Sequence, residues 1–495
     1  MKPESGNENS RWDLLRNWWS VIGLLIAVLG LFAFLLLFIY DSLARFNNPY
    51  VGVMMYFVAF PVVVFGLLVT AIGAVIQHRR NGAAAKPQEP VKLLTINLSH
   101  LRDRHVLEIL FAVVVVLLGV TAVGSYHSYH FVESAQFCGS VCHVMEPENT
   151  AYQHSPHAQV ACTECHVGPG VEWFVKAKIN GMHQVVAMVR NSYSRPIPPP
   201  VKHMRPARET CEQCHWSKKF YGNMEKVYQH YLADEKNTHY AVRLSLKVGG
   251  SDPAHGPVGG IHWHMNVANK IEFVATDKEH QVIPWVRLTD AKGVKTEFRA
   301  AGYKDTPSPA AIQTMDCMDC HNRPAHNFDA PDTAVDLAMS LGKIDPTLPS
   351  IGKHAVALLT KDYASKKEGL EAIAASLTGQ YPNEPRIKPA IAAVQEIYSH
   401  NFFPDMKANW KAYPDNIGHK NWPGCFRCHD GQHATTDGKR KIKASDCNAC
   451  HLILAQGTGV ELSQLNAAGQ PFKHPGGDLD PSTKCNECHS GGVAP

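Results

Sequence analysis

The 495-residue sequence predicts a mainly α chain: an N-terminal three-helix transmembrane region, then an exported domain of low regular structure carrying a small antiparallel β insertion. Three observations predict it. Long apolar runs fill the first 130 residues, seven Cys-pair motifs each followed at once by His fill the rest, and one β-rich stretch interrupts those motifs.

The first apolar run, Trp18 to Tyr40, has Trp18 and Trp19 at one end and Tyr40 at the other. That is the length and aromatic edging of a spanning helix of roughly 20 residues. A cleaved leader would have a shorter apolar stretch and a small-residue cleavage site, and Asp41-Ser42-Leu43-Ala44-Arg45 is a poor one. A second run covers Tyr50 to Ile76, with Pro61 as a tolerated kink, and a third Val106 to about Ser125, with Glu108 near its edge. The loop between them holds His78, Arg79, Arg80, Lys86, Lys92, Arg102 and Arg104, against only Arg45 in the preceding loop. By the positive-inside rule this basic loop and the N-terminus, with Lys2, Arg11 and Arg16, face the cytoplasm. Three spans then place everything after about Tyr126 outside.

The motifs begin with Cys138-Gly-Ser-Val-Cys142-His143 and Cys162-Thr-Glu-Cys165-His166. They continue at Cys211/Cys214-His215, Cys317/Cys320-His321, Cys425/Cys428-His429, Cys447/Cys450-His451 and Cys485/Cys488-His489, using all fourteen cysteines. A Cys-x-x-Cys-His run is a covalent c-type haem site: two thiols a turn apart add to the vinyl groups and the adjacent imidazole meets the iron. The first copy has three residues between its thiols and needs a bulge. Zinc ribbons use Cys-x-x-Cys pairs and exported chains use disulfides, but neither requires His after the second Cys in every copy. Seven haem c groups on the outer side of a membrane agree with the topology, since that is where c-type haems are attached.

From Glu133 to Pro495 there are 363 residues, about 52 per haem, so porphyrins would supply much of the apolar interior. Between the third and fourth motifs, Lys270 to Thr276, Gln281 to Leu288 and Val294 to Arg299 cluster β-formers around the turn signal Asp290-Ala-Lys-Gly293. This predicts a small antiparallel sheet over about 244–300, as cover for haems or a docking surface. After His326, Thr333 to Leu341, Lys366 to Leu377 and Pro389 to His400 have helical apolar spacing. The predicted organisation is a membrane region 1–130 (spans about 18–40, 50–76 and 106–125), a four-haem domain 131–330 and a three-haem domain 331–495. Pro196 to Pro200 reads as a stiff connector.

A low-spin iron needs a second axial ligand. Of 28 histidines, 21 lie outside the motifs. Position favours His157, five before Cys162; His326, five after His321; His419 and His433, flanking the fifth motif; and His474, ahead of the last. Local spacing does not say which iron each serves. The formal charge of +4 is weak, and the propionates of seven haems would make the loaded protein acidic. That argues against nucleic acid and for basic or haem-exposing electron-transfer partners.

The chain resembles the NapC/NirT family of membrane-anchored multihaem quinol dehydrogenases. The shared features are a helix leading into four haem sites, Met145 two residues after His143, the His157-to-Cys162 spacing, and CMDCHNRPAH at Cys317 to His326. They span about Phe131 to His326. The resemblance implies that menaquinol or ubiquinol feeds a four-haem domain that passes electrons to periplasmic partners. It also implies that His157 serves the fourth haem and His326 the second, and that Met145 lies near or on the iron of the first haem. Lys178 falls where the family has a basic residue beside the quinol. The family's nearby acidic residue is absent, with His183 and Gln184 in its place. Three spans, the sheet and three extra haems make the chain similar to seven-haem inner-membrane cytochromes of metal-respiring bacteria, which send quinone-pool electrons toward extracellular acceptors.

The reading is therefore a multi-pass protein of the bacterial inner membrane with its haems in the periplasm. It would draw on the quinone pool and deliver to periplasmic c-type cytochromes, as a quinol:cytochrome c type of oxidoreductase. Quinol gives up two electrons and two protons while a haem takes one electron, so the site needs a base; His183 is the candidate base or ligand and Lys178 the stabiliser of the quinol oxygen. Two rivals stay open at this point: a multihaem oxyanion reductase of the nitrite type with an open haem, and a membrane wiring subunit of a separate terminal reductase. The sequence leaves homo-oligomerisation and the direction of electron flow open.

Overall fold

Helix α1 (Trp18–Leu43) and helix α2 (Phe60–Ala83) are long and apolar enough to cross a membrane. In this computed structural model they pack along glycines: a Cβ at Gly23 would meet Thr70 N at 2.4 Å, and one at Gly66 would meet Ala27 N at 2.4 Å. Lipid gives no hydrophobic drive between helices, so such close backbone approach and interhelical hydrogen bonds hold them together. Ser20 Oγ donates to Thr70 O at 3.0 Å. Leu24, Leu25, Phe32, Phe65, Leu67 and Leu68 are exposed, as lipid-facing residues are. The structure describes residues 17–43, 59–83, scattered positions within 105–131, and 133–493 apart from 169, 199–204, 217–219, 250–258, 267, 444–447 and 481–482. The second predicted span begins outside the described residues. Most of the third also lies outside them; its described positions are helical.

The chain divides into two compact units, Met1–Phe131 with Pro169–Lys178, and Val132–Gly168 with Ile179–Pro495. The second unit starts with a short π-helix, Phe137–Val141, then a 3-10 turn, His143–Met145, and the helices α3 (Glu146–Gln153) and α4 (Cys162–His166). Helix α5 (Val171–Val189) runs across the division in sequence, and α6 (Ala207–Cys211) ends on the third motif.

The β insertion is larger than predicted and starts earlier. It opens with the antiparallel pair β1 (Met224–Tyr231) and β2 (His239–Leu246). The sequence reading missed β1 because five of the eight residues of MEKVYQHY are exposed, so its outer part carries no buried alternation, and only its end, at Tyr231, packs against the main core. A second sheet follows, β3 (Lys270–Val274), β4 (Trp285–Thr289), β5 (Lys295–Arg299) and β6 (Gln313–Thr314), in the order β5-β4-β3-β6. The predicted turn closes it: Gly293 N–H donates to Asp290 O at 2.9 Å, with Gly293 at φ 78°, a conformation glycine reaches without strain.

The main apolar core is helical and lies between the fourth and fifth motifs. Helices α7 (Pro331–Ser340), α8 (Ile351–Leu359), α9 (Lys366–Gln380) and α10 (Ile387–Asn401) bury Val335, Ile351, Leu359, Ile373, Leu377 and Val394 completely. Ser365 caps α9 by accepting from Glu368 N–H, and Gly369 lets α9 approach Tyr398, whose ring a Cβ there would meet at about 2.4 Å. One segment thus gathers the ordinary core, and the haem motifs hang on short turns around it.

Residue 330 is not a structural boundary. Strand β7 (His451–Gly457), which begins on the last residue of the sixth motif, joins β2 to complete the sheet β1-β2-β7, and Ala434 bridges to Arg299. The segments on either side of 330 therefore pair with each other, through a full strand in the first sheet and a single bridge at the edge of the second. The chain ends with α11 (Cys485–Cys488).

Candidate functional site: paired imidazoles at the Cys-His motifs

In a Cys-x-x-Cys-His run the His is four residues after the first Cys, so one helical turn closes the motif and sets the two thiols three apart on one face. The structure builds this turn repeatedly. The His N–H donates to the first Cys carbonyl at 2.7 Å for His215 to Cys211, 2.8 Å for His321 to Cys317, 3.0 Å for His429 to Cys425 and 2.8 Å for His489 to Cys485. The fourth turn is further fixed by a capping box between Asp316 and Asp319. Cys447 lies outside the described residues. The extra residue of the first motif is absorbed as the π-helix Phe137–Val141, the form an inserted residue gives a helical turn.

Six motif imidazoles each face a second imidazole. Ring centres are 6.2 Å apart for His166 and His326, 6.0 Å for His215 and His157, and 6.3 Å for His321 and His262. They are 5.8 Å apart for His429 and His264, 6.3 Å for His451 and His419, and 6.0 Å for His489 and His474. Two imidazoles bound to opposite sides of one metal, with metal–nitrogen bonds of about 2 Å, have ring centres about 6 Å apart. No imidazole is used twice.

Several partners are aimed by the backbone. His326 Nδ1 donates to Glu148 O at 2.9 Å and His157 Nδ1 to Pro324 O at 3.0 Å. A proton held on Nδ1 leaves the Nε2 lone pair for a metal, and such outer hydrogen bonds orient metal-binding histidines. Burial pushes the imidazoles of His166, His321, His419, His429, His451 and His489 below their ordinary pKa, and His326 to about 4, so they stay neutral. Buried guanidinium nitrogens with no partner, Arg205 Nε and Nη1 and Arg323 Nη2, suit anionic propionates. The residues present fit haem.

The motifs also lie close together. Cys138 is in hydrogen-bonding contact with Cys162, and Cys211 with Cys317. Cys165 and Cys214, and Cys320 with Cys425 and Cys428, are near enough to oppose one another's ionisation. His419 faces His451 of the sixth motif, stacks on Phe426 inside the fifth at 4.4 Å, and has Nδ1 3.9 Å from Cys485 Sγ of the seventh.

Not every predicted site residue falls where the sequence placed it. The resemblance implies His157 at the fourth motif; in the structure it faces His215 of the third, and His262 of the insertion faces His321 of the fourth. His433 faces no motif imidazole: its Nδ1 donates to Asp430 at 2.8 Å and its Nε2 to Ile283 O at 2.7 Å, leaving no lone pair for a metal. Sequence reasoning missed His262 and His264 altogether. Met145 shares the turn His143–Met145 with its motif, and His143 is exposed. Lys178 and His183 are exposed on α5, with Lys178 Nζ 5.0 Å from the Phe174 ring. Five residues apart, they sit about 140° from one another around a helix and do not share a face.

The NapC/NirT cytochrome c family, N-terminal region, matches residues 102–197. The cytochrome c-type protein ImcH of Geobacter sulfurreducens is 39% identical over 492 residues, covering 95% of this chain and 94% of that one. This chain belongs to the NapC/NirT cytochrome c family. The cytochrome c-type protein NrfH of Wolinella succinogenes is 34% identical over 79 residues, 15% of this chain and 45% of that protein. No solved structure matches. As a NapC/NirT cytochrome the chain is a membrane-anchored protein of electron transport with covalently bound haem c. Haem supplies reversible one-electron chemistry when bound; the chain's motif thiols would hold it and the paired imidazoles would bind its iron and set its potential.

Proposed function

We propose that this NapC/NirT cytochrome oxidises menaquinol, or another quinol, at the outer face of the inner membrane and passes the electrons through seven haems to periplasmic c-type cytochromes. The observation that carries the reading is the contrast in axial surroundings: six motif imidazoles have a facing imidazole at 5.8–6.3 Å, and the exposed His143 has none among the described residues. Six closed haems form a wire, and the first, with Met145 beside it, is the one a substrate can approach. Helix α5 supports a site at the bilayer surface. Val175, Ile179, Met182, Val186 and Val189 recur every three or four residues and are 39–79% exposed, the stripe of a helix lying in the membrane interface. Lys178 and His183 flank that stripe on opposite sides, about 60° and 80° from its centre, so a quinol lying along the stripe would have its oxygen steadied by Lys178 on one side and a proton taken by His183 on the other. In this reading the chain crosses the membrane three times, with the basic loop inside and the haem domain in the periplasm.

The test is an anaerobic spectroscopic redox titration of the detergent-solubilised holoprotein, with a menaquinol analogue added to a parallel sample. Seven c-type haems reduced by the quinol are expected. A haem signal that responds to nitrite, or no reduction by any quinol, would reject the reading in favour of an oxyanion reductase or a wiring subunit.

A further inference from the structure

We propose that one turn of the β insertion supplies the sixth ligand to two irons: His262 to the fourth haem and His264 to the fifth. The inference rests on haem occupying those two motifs, the coarser part of the reading above, and not on quinol chemistry.

The sequence here is Ile261-His-Trp-His-Met265, a 3-10 turn. With about three residues per turn, side chains two apart diverge by about 120°, so the two imidazoles cannot serve one metal but can reach two metals on different sides. The geometry uses that divergence. His262 faces His321 with ring planes 7° apart and His264 faces His429 with planes 79° apart. Each Nδ1 is held by a carbonyl, Val248 O at 2.6 Å for His262 and Ile261 O at 2.8 Å for His264, which leaves each Nε2 free to bind. Phe220 stacks on the His262 ring at 4.4 Å and fixes its plane.

The turn is anchored from both sheets. Ile261 N–H donates to Lys247 O at 2.8 Å just beyond β2, and Lys247 N–H donates to Cys450 O at 2.8 Å in the sixth motif. Gly260 permits the approach: its φ is 93°, and a Cβ would meet Lys247 O at 2.5 Å. On the other side Trp263 packs against the cluster formed by Ile271, Phe273 and Val286 of the second sheet and Ile283 just before β4. A rigid turn with two aimed imidazoles is what ligation of two fixed irons requires.

The assignment also closes the ligand set. His262 at the fourth motif leaves His157 for the third, where it lies 6.0 Å from His215. The insertion is then the junction between the family's four haems and the three added ones, because two residues of one turn hold the irons on either side of that boundary.

The experiment uses the full-length holoprotein carrying His262→Ala, His264→Ala or both, examined by electron paramagnetic resonance and absorption without quinol, so failure of quinol oxidation leaves it unaffected. All seven haems should remain attached. Each single variant should convert one haem in seven to high spin, the double variant two, and added imidazole should restore low spin. His262→Met and His264→Met, which retain a ligand, should each raise the potential of one haem. In a Cys317→Ser/Cys320→Ser background, which lacks the fourth haem, His262→Ala should add no high-spin signal. Fully low-spin alanine variants, a high-spin signal that imidazole does not remove, or one that persists in that background would overturn the assignment.

Discussion

The first motif and the six that follow it present the same residue types, two thiols and a His, on different backbones. The second, third, fourth, fifth and seventh motifs close as single turns, His451 of the sixth opens a strand, and each of these six imidazoles faces another about 6 Å away. The first is a π-helix followed by a 3-10 turn, its imidazole exposed and next to Met145. A closed pair keeps water and small molecules off an iron and changes little on reduction, which suits a relay. A haem without a second imidazole is the one with room for substrate at its edge. In the proposed function these are the two roles that the motifs divide, and the first motif is the one with an extra residue between its thiols.

The largest effect expected from this comparison comes from deleting haems one at a time. Cys138→Ser/Cys142→Ser should leave six haems that dithionite still reduces, while reduction by quinol falls on the order of 100-fold or more. Cys317→Ser/Cys320→Ser should also leave six, with quinol still reducing the haems ahead of the gap and transfer to an external cytochrome falling by a similar factor. Haem counts with stopped-flow reduction measure both. Equal loss of quinol reduction in the two variants would erase the proposed division between a substrate-facing haem and a wire.

A smaller effect tests the π-helix itself. Gly139 is buried, and a Cβ there would lie 2.1 Å from the Asn149 side chain. Gly139→Ala should cost about 1–3 kcal/mol by overpacking, with the loss confined to the first haem, and Asn149→Ala should recover part of it. Thermal unfolding of the four proteins of this double-mutant cycle gives the coupling. Additive effects would mean that the extra residue of the first motif is not clamped by Asn149.

The motifs were legible in the sequence because their chemistry is local: five adjacent residues make the whole covalent site. The three helices Pro331–Ser340, Lys366–Gln380 and Ile387–Asn401 were legible for a similar reason, since their periodicity reports one shared core. The shorter helix Ile351–Leu359 between them was not, although Ile351, Ala355, Leu358 and Leu359 recur at helical spacing, because nine residues hold too few repeats of that pattern to stand out. Distal ligands were legible only as candidates. Nothing near His157 says that it crosses to His215, and nothing near His262 and His264 says that one turn faces the imidazoles of two motifs. A surplus of histidines close together in the insertion was the available signal. His433 shows the opposite error: spacing alone nominated a residue whose two nitrogens are both engaged elsewhere.

His433 also offers the smallest and most local test. It is 1% exposed, and both of its ring nitrogens meet acceptors, the Asp430 carboxylate and the Ile283 carbonyl, a setting that favours the protonated ring, which can donate to both. Burial opposes that charge, but the hydrogen bonds to Asp430 and Ile283 and the charge of Asp430 outweigh it and raise the pKa above 6.5. Asp430, despite its own burial, is held below 3.8 by His433 and backbone donors. A raised imidazole pKa contributes stability that is complete below the unfolded value and is lost as pH rises through the folded one; the depressed carboxylate contributes above its unfolded value. Their joint contribution is therefore greatest from about pH 4 to about 6.5 and declines on the alkaline side. His433→Asn should cost about 2 kcal/mol in that window, the scale of a buried hydrogen bond to a charged group, and less above it, with every haem still low-spin. Denaturant unfolding at a series of pH values, alongside the absorption spectrum, measures both. A pH-independent difference together with a new high-spin haem would make His433 an iron ligand and reassign the fifth motif, to which His264 is otherwise the facing imidazole at 5.8 Å.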